Sequence, residues 1–350
     1  MSSHATSGVG RVPRASVVIP TWNGAALLRS ALLSLRRQTY RDFEVVVVDN
    51  GSRDHTRAML ADEFPEVACV PLPRNCGFAA AVNRGIEAAK GEYIALLNND
   101  AEAEPGWLGA LVSALDGRPA VGAVASKMLD ARRPAIIDAA GDTMSLFAWN
   151  AGHGEQDGPP FAVGREILSA CAGAAAYRRT LFDTVGTFDE SYFSWFEDVD
   201  LGLRAQLAGF RCWYEPAAIV RHHGSATLGR MSDTKTFFTV RNTLKLFFTT
   251  MPLRRVLMWG PAMLAWPWLD PILTGRPLRV TVRAWLAFWP LLPGTLRARR
   301  RAYAVTADGA APLLALLESP WCDVRRALVA LRARLARGSD PSRPPIRDRL

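Results

Sequence analysis

Phe43-Glu44-Val45-Val46-Val47-Val48-Asp49 is a run of mostly β-branched residues ending in a carboxylate, and Asn50-Gly51-Ser52 follows it directly. A continuous apolar run reads as a parallel strand buried on both faces, because a strand with one wet face alternates. Working outward, Ser16-Val17-Val18-Ile19-Pro20 is a second short strand stopped by proline. Between the two, Ala25 to Arg37 carries Leu27, Leu28, Ala31, Leu32 and Leu35 at helical spacing. Downstream, Asp54 to Glu63 reads as a helix, Val67 to Leu72 as a third strand, Ala79 to Ala89 as a helix, and Tyr93-Ile94-Ala95-Leu96-Leu97 as a fourth strand. This alternation predicts an α/β fold, a mostly parallel Rossmann-like sheet flanked by helices, whose ligands gather beyond the carboxyl ends of the strands. Asn23, Asp49, Asn75 and Asp100 stand at or just past those ends, around one predicted crevice.

Farther along, a helix is predicted from Gly106 to Leu115. Residues 130–165, rich in Gly, Asp and Pro, read as a variable loop region over the site, and Ser169 to Val220 as two short strands around a helix. The α/β domain is therefore expected over 15–232, after a loose tail over 1–14. Beyond Ser232 the texture changes. Thr234 to Thr250 is an aromatic amphipathic helix ended by Pro252. Val256 to Leu269 and Ala284 to Leu296 are uncharged runs that contain proline and fall short of the ~20 residues needed to span a bilayer. Leu313 to Arg337 reads as a basic amphipathic helix and the last stretch as disordered. The expected organisation is a helical, membrane-associated extension over 233–302, then a basic helix and tail over 303–350.

Charge follows the same division. From Arg276 to the C-terminus there are 15 Arg, no Lys and 5 acids, a net of +10, so the preceding 275 residues sum to −1. A basic tail beside a Trp-rich stretch points to an anionic membrane surface; a solvated Arg-rich helix is the plainer alternative. A hydrophobic content of 49% with 21% charged residues excludes a disordered chain. Five scattered cysteines without C-x-x-C spacing suggest buried thiols in a reducing compartment. Residues 1–14 are polar and carry no apolar core segment, so the expected location is cytoplasmic, peripheral on the inner face of the plasma membrane.

Three clusters carry chemistry. The fourth strand empties into Asn98-Asn99-Asp100, oxygen ligands suited to a hard cation, although Asn-Asn-Asp is also ordinary turn chemistry. Phe196-Glu197-Asp198-Val199-Asp200-Leu201 opens a helix, and its three carboxylates repel one another unless a cation or a helix N-terminus offsets them. Either Asp198 caps that helix or it is a general base at the rim of a cleft, where it is preferred over Glu197. Val220-Arg221-His222-His223-Gly224 ends the last strand, and an imidazole there completes a cation site or is an exposed polar pair.

The order of these pieces, Val17-Val-Ile-Pro20-Thr-Trp-Asn23, Val48-Asp49-Asn-Gly-Ser52-Arg-Asp54, Asn75-Cys-Gly77-Phe78-Ala-Ala-Ala-Val-Asn83-Arg-Gly85, Leu97-Asn-Asn-Asp100, Phe196-Glu-Asp198-Val-Asp200-Leu and His222-His-Gly, resembles the inverting family 2 glycosyltransferases of GT-A fold. It is most similar to the bacterial rhamnosyltransferase-like branch that decorates cell-wall and O-antigen glycans. The resemblance implies that Pro20, Thr21 and Asn23 line a base pocket and that Asp49 hydrogen-bonds a pyrimidine. Asn75, Gly77 and Asn83 would approach ribose, diphosphate and sugar, with Ser52, Asn98 and Asn99 completing the nucleotide-sugar contacts. It further implies Asp100 and His222 (or His223) as ligands to Mg²⁺ or Mn²⁺, and Asp198 as the base. The segment before the base would shape the acceptor pocket, where Trp195 either stacks on a sugar or packs in the core.

Two departures stand out. The metal motif lacks its first carboxylate, and the Gln-x-x-Arg-Trp motif of processive synthases is absent after Asp198, which implies single addition. The expected reaction moves a sugar, dTDP-rhamnose being the first donor to consider and UDP-hexoses the next, onto a glycan or polyprenyl-diphosphate-linked acceptor. Other classes fare worse. An oxidoreductase needs G-x-G-x-x-G where Pro20-Thr-Trp-Asn-Gly24 stands, and a nucleic-acid partner is not expected because the basic charge lies outside the α/β body. A catalytically inactive scaffold or nucleotide-binding relative remains the alternative.

Overall fold

The computed structural model describes residues 12–224, 233–306, 311–323, Arg325 and Leu328. In chain order the first half runs β1 (Ala15–Thr21), α1 (Ala25–Arg36), β2 (Phe43–Asp49), α2 (Thr56–Glu63), β3 (Ala68–Pro71), α3 (Phe78–Ala88), β4 (Tyr93–Leu97), β5 (Ala101–Ala103) and α4 (Trp107–Asp116). There follow β6 (Val121–Asp130), β7 (Arg133–Ala139), β8 (Asp142–Met144), β9 (Ala148–Asn150), β10 (Arg165–Ile167), β11 (Ala174–Arg178), α5 (Arg179–Val185), α6 (Glu197–Leu207) and β12 (Arg211–His222). The chain closes with α7 (Asp233–Thr250), α8 (Leu253–Thr274), α9 (Leu278–Phe288), α10 (Leu292–Ala304) and α11 (Ala311–Leu316).

Ten strands make one mixed sheet in the order β10-β12-β6-β11-β4-β1-β2-β3, with β5 on β12 and β7 on β6. The half read from the valine run is parallel throughout, β4-β1-β2-β3. Alternation along each strand sends its side chains into two layers. Val17 and Ile19 pack with Leu28, Leu32, Leu60 and Trp107 of α1, α2 and α4. Val18, Val46 and Val48 pack with Ala79 and Val82 of α3 on the other face. Burial on both sides is why these strands are uninterrupted apolar runs.

Register then aligns the strand ends. Thr21 pairs with Asp49, and Val18 with Leu96, so Asn98–Asp100 overshoot the sheet on the same rim. β5 begins at the residue after Asp100 and pairs antiparallel with the end of β12, setting His222 opposite Ala101. A three-residue strand thus joins the two distant parts of the expected cation site.

The structure departs from the sequence reading or adds to it at four points. Residues 121–130, given no element in the sequence reading, form the buried strand β6. Residues 130–165 are not one loop: they hold β7, β8, β9 and the start of β10, which the sequence does not reveal because these strands are short and lack the long apolar runs that mark a central strand. Arg14 is not part of a loose tail, since its guanidinium meets Asp116 at 2.6 Å and Tyr93 at 3.2 Å. Across the expected boundary at 232/233, Leu244, Phe247 and Met251 of α7 share a core with Tyr192, Leu203 and Leu207 of the α/β domain.

The uncharged runs fall in α8, which contains Pro261, Pro267 and Pro271, and across α9 and α10. Among the described residues no helix is long and apolar enough to cross a membrane. Most of the predicted basic helix over 313–337 and the disordered tail lie outside the described residues. Part of the C-terminal charge is structural. Arg299 donates to the carbonyls of Phe248 and Met251 at the end of α7, a cation satisfying a helix C-terminus.

Candidate active site

Two loops form the nucleotide side of the rim. The amide N–H of Asn23 donates to Ser52 Oγ at 2.9 Å, and Asn23 Oδ1 accepts from the amide of Arg53 at 2.8 Å. The β1–α1 and β2–α2 loops are therefore tied to each other. Asn23 takes a left-handed φ of 50°, a conformation that asparagine tolerates. Asp49 is fully buried; its carboxylate accepts the amide of Ser52 at 2.9 Å and pairs with Arg57. Burial pushes its pKa up, but Ser52 and Arg57 outweigh burial and hold it below the usual range. Pro20 and Thr21 are enclosed in β1, and Thr21 Oγ1 accepts from the Asn99 carboxamide at 2.9 Å.

Asn50, missed in the sequence reading, is the hub of the next loop. Its carboxamide donates to Asn75 Oδ1 and to the carbonyl of Gly77, and accepts from the amide of Cys76. Two expected sugar-side residues are internal instead. Asn83 is buried, and its carboxamide is committed to Phe188 and Glu190. Gly77 has φ +90°, and a Cβ there would stand 2.5 Å from the carbonyl oxygen of Phe193. The close approach that glycine permits here is that of Phe193.

At the far rim, His222 Nε2 lies 3.1 Å from Asp100 Oδ1, and His222 Nδ1 lies 2.7 Å from Asp138 Oδ2. Burial works against a charged imidazole, but the flanking carboxylates of Asp100 and Asp138 prevail and raise the pKa of His222 to about 10. Asp138 is itself opposed by burial, yet hydrogen bonds to His153 and His222 keep it well below the ordinary carboxylate range. His223 turns away to Glu102, 3.1 Å distant. Of the two adjacent imidazoles, His222 is the one that faces Asp100. Asp138 was invisible in the sequence because it lies in the segment read as loop; only the pairing of β7 with β6 brings it to the rim.

Asp198 sits in the first turn of α6. Its Oδ2 accepts the amide of Ala172 at 3.0 Å, and its Oδ1 the amide of Val199 at 2.9 Å. The next residue, Gly173, accepts the amide of Asn98 through its carbonyl at 2.8 Å. Since consecutive Cα atoms are ~3.8 Å apart, the Ala172-Gly173 step ties Asp198 directly to the strand end that carries Asn98–Asp100. Burial raises the Asp198 pKa against the opposing backbone hydrogen bonds. Glu197 is buried, its Oε2 has no hydrogen-bond partner, and burial followed by the Asp198 charge lifts its pKa well above the usual value. It is an interior carboxyl whose charged form burial disfavours. Nearby, buried Asp142 accepts from Ser169 Oγ at 2.6 Å; burial and the Asp198 charge push its pKa far up. Trp195, the expected acceptor platform, is stacked on Phe238 at 6.1 Å.

Of the expected residues, the structure brings Asn98, Asn99, Asp100, Asp198 and His222 to one rim, with Asn23, Ser52 and Asn75 on the loops beside it. It withdraws Asn83 and Glu197 into the interior. The arrangement sets a carboxylate against an imidazole at Asp100 and His222 and ties the carboxylate of Asp198 to the same strand end.

Known proteins resemble this chain in sequence and in fold. Residues 16–186 match the profile of Glycosyl transferase family 2. The N-acetylglucosaminyl-diphospho-decaprenol L-rhamnosyltransferase of Mycobacterium tuberculosis is 30% identical over 239 residues, which cover 61% of this chain and 77% of that protein. GalNAc-T7, solved with UDP, GalNAc and Mn²⁺, superposes with a TM-score of 0.56 at 18% identity over 68% of this chain and 48% of that one. A mannosyltransferase from Pyrobaculum calidifontis, solved with GDP-Man and Mn²⁺, gives a TM-score of 0.51 at 21% identity over 95% of this chain and 88% of that one. These neighbours share the GT-A arrangement of a mixed sheet flanked by helices. The chain belongs to glycosyl transferase family 2 and is a glycosyltransferase.

Proposed function

We propose that this enzyme moves a single sugar, with inversion, from a nucleotide-sugar donor to a hydroxyl of a polyprenyl-diphosphate-linked glycan acceptor. The observation that carries the reading is the meeting of three distant segments: Asp100 against His222, and Asp198 tied to Asn98 through Ala172-Gly173. Rhamnose is the preferred sugar, supported by the L-rhamnosyltransferase name of the Mycobacterium tuberculosis relative; dTDP-rhamnose is the donor to test first.

The residues at Asp100 fit a divalent cation. They offer one carboxylate oxygen and one imidazole nitrogen, and Asp138 holds the other ring nitrogen, the carboxylate–histidine arrangement that orients a metal-bound ring. Oxygen with nitrogen favours Mn²⁺ over Mg²⁺. Among the described residues no group of three or more His, Cys, Asp or Glu is placed to hold a metal, so the remaining positions would fall to diphosphate and water. When bound, the cation supplies positive charge to the departing diphosphate.

The chain's own residues do the rest. The Asn23–Ser52 and Asn50–Asn75 loops bound the nucleoside side. Asp198 takes the proton of the acceptor hydroxyl as its oxygen forms a bond to the anomeric carbon from the face opposite the leaving diphosphate, whose bond to that carbon breaks. The raised pKa of Asp198 suits a base, because a carboxylate nearer neutrality accepts a proton more readily.

For the acceptor's lipid, the C-terminal helices offer exposed Leu257, Met258, Trp268, Leu269 and Ile272 on α8, followed in the sequence by the arginine-rich C-terminal region. Exposed aromatic and aliphatic side chains on a helix that precedes an arginine-rich sequence suit an anionic membrane interface, which would set the enzyme on the inner face of the plasma membrane.

The test is a thermal-shift screen of dTDP, UDP and GDP with and without Mn²⁺, followed by a transfer assay with the best-bound nucleotide's sugar. The expected result is stabilisation by one nucleoside diphosphate that requires Mn²⁺ and is lost in His222→Ala. Equal stabilisation with and without the metal, or no transfer from any donor, overturns the reading.

A further inference from the structure

The segment that leads into Asp198 is held in a conformation it would not choose. Phe193, Trp195 and Phe196 have φ of 67°, 68° and 71°. Left-handed backbone is unfavourable for such bulky residues, so three of them in four positions persist only if the surroundings over-determine the loop.

Those surroundings come from one face of α7. The carboxamide nitrogen of Asn242, which is fully buried, donates to the carbonyls of Tyr192 at 3.0 Å, Ser194 at 2.8 Å and Trp195 at 2.9 Å. Its oxygen accepts from Arg241 Nε at 2.9 Å, which fixes the nitrogen toward the loop. Arg241 also donates to the carbonyls of Ser191 and Tyr192. One turn earlier the ring of Phe238 stacks on Phe193 at 5.0 Å and on Trp195 at 6.1 Å. Phe238 and Asn242 stand four apart in the sequence, so they lie on one side of the helix.

The loop so held touches both halves of the site. On one side the carbonyl of Phe193 accepts the amide of Phe78 at 2.6 Å in the first turn of α3, and its ring fills the space a Cβ of Gly77 would need. On the other, the carbonyl of Phe196 accepts the amide of Asp200 at 2.9 Å, starting the helix whose first two residues are Glu197 and Asp198. α3 follows the Asn75–Gly77 loop and α6 carries the base.

We infer that Asn242, with Phe238, is a positioning residue for transfer: α7 fixes the left-handed loop and through it sets Asp198 relative to the donor-side loop of α3. The inference rests on Asp198 as the base, as proposed above. It gives α7, which follows the strand that ends at His222, a part in positioning the base. Asn242 meets no substrate, so its loss should change rate and leave donor binding in place.

The test compares the full-length protein with Asn242→Asp, which keeps the shape but replaces the donor by an acceptor facing carbonyls, and with Phe238→Ala, which keeps the polar contacts. Amide hydrogen exchange at Phe78 and Ala79, on the far side of the loop, reads the coupling without reference to the reaction; transfer kinetics and Mn²⁺-dependent titration of the nucleoside diphosphate read its consequence. Expected are faster exchange at both amides and a fall in kcat on the order of 10- to 100-fold, as a displacement of ~1 Å produces, with binding stoichiometry unchanged and diphosphate Kd and donor KM within about twofold. If Asn242→Asp does not fold, Phe238→Ala decides by the same measures. Unchanged exchange at Phe78 and Ala79, unchanged kcat, or a rate loss that only tracks lost binding sites overturns the inference. Faster exchange together with an inactive wild type would instead sink the proposed reaction and leave the brace standing.

Discussion

At the scale of single residues, three carboxyls crowd together and differ by environment. Asp198 accepts two backbone N–H groups, which favours its charged form; at Asp142 the donating hydroxyl of Ser169 works the same way but is outweighed by burial and the Asp198 charge, and Glu197 has a carboxyl oxygen with no partner. Burial raises the pKa of all three, and those of Glu197 and Asp142 are pushed well above the ordinary value, with the Asp198 charge adding to burial in both. Asp198→Asn should lower transfer at least 100-fold, the scale of a lost general base, with nucleotide affinity nearly intact, while Glu197→Gln should keep most of the activity. More than a tenth of wild-type transfer in Asp198→Asn would contradict the assignment. For Asp142 the folded pKa lies above the ordinary 3.8 through burial and then the Asp198 charge. A carboxyl with a raised folded pKa contributes its full stability below that ordinary value and loses it as pH rises toward the folded one. Asp142→Asn fixes the neutral form, so its stability relative to wild type should improve between pH 5 and pH 8 in urea melts; a pH-independent difference would refute this.

At the scale of elements, packing distinguishes glycines that the sequence cannot. Gly202 lies inside α6, and a Cβ there would stand 2.1 Å from Cβ of Ser169. Gly294 lies inside α10 with nothing within 4 Å. Gly202→Ala should cost about 1–3 kcal/mol by overpacking, and Gly294→Ala should add about 0.4–1 kcal/mol by restricting the unfolded chain. Denaturant melts check both, and equal effects would show that α6 does not press on Ser169 as described. The same comparison explains which elements were legible. β1 to β4 and α1 to α3 could be read because burial on two sheet faces enforces continuous apolar runs and helical spacing. β5 and β8 to β10 could not, since three residues hold no period and are strands only because a neighbour lends them hydrogen bonds.

For the whole molecule, the C-terminal helices are both a structural brace and an exposed apolar surface. Removing residues from 251 onward would strip Met263, Phe288 and Leu313 from the core that holds Leu203 and Phe247, so deletion cannot test membrane contact cleanly. Replacing exposed Leu257, Met258 and Trp268 with Ser should leave the melting temperature near wild type and release the protein from anionic vesicles on sedimentation. Unchanged sedimentation would remove the lipid interface from the account. By itself the sequence determined the parallel half of the sheet, the rim on which Asp49 and Asp100 lie, and the motif order that marks the family, because local periodicity and short motifs hold that information. Only the tertiary structure decided that His222 rather than His223 faces Asp100, that Asp138 stands behind it, that Asn83 and Glu197 are interior, and that α7 grips the loop before Asp198. These depend on pairings between segments far apart in the chain, such as β5 with β12 and Asn242 with Trp195, and a single sequence carries no local signal for contacts of that kind.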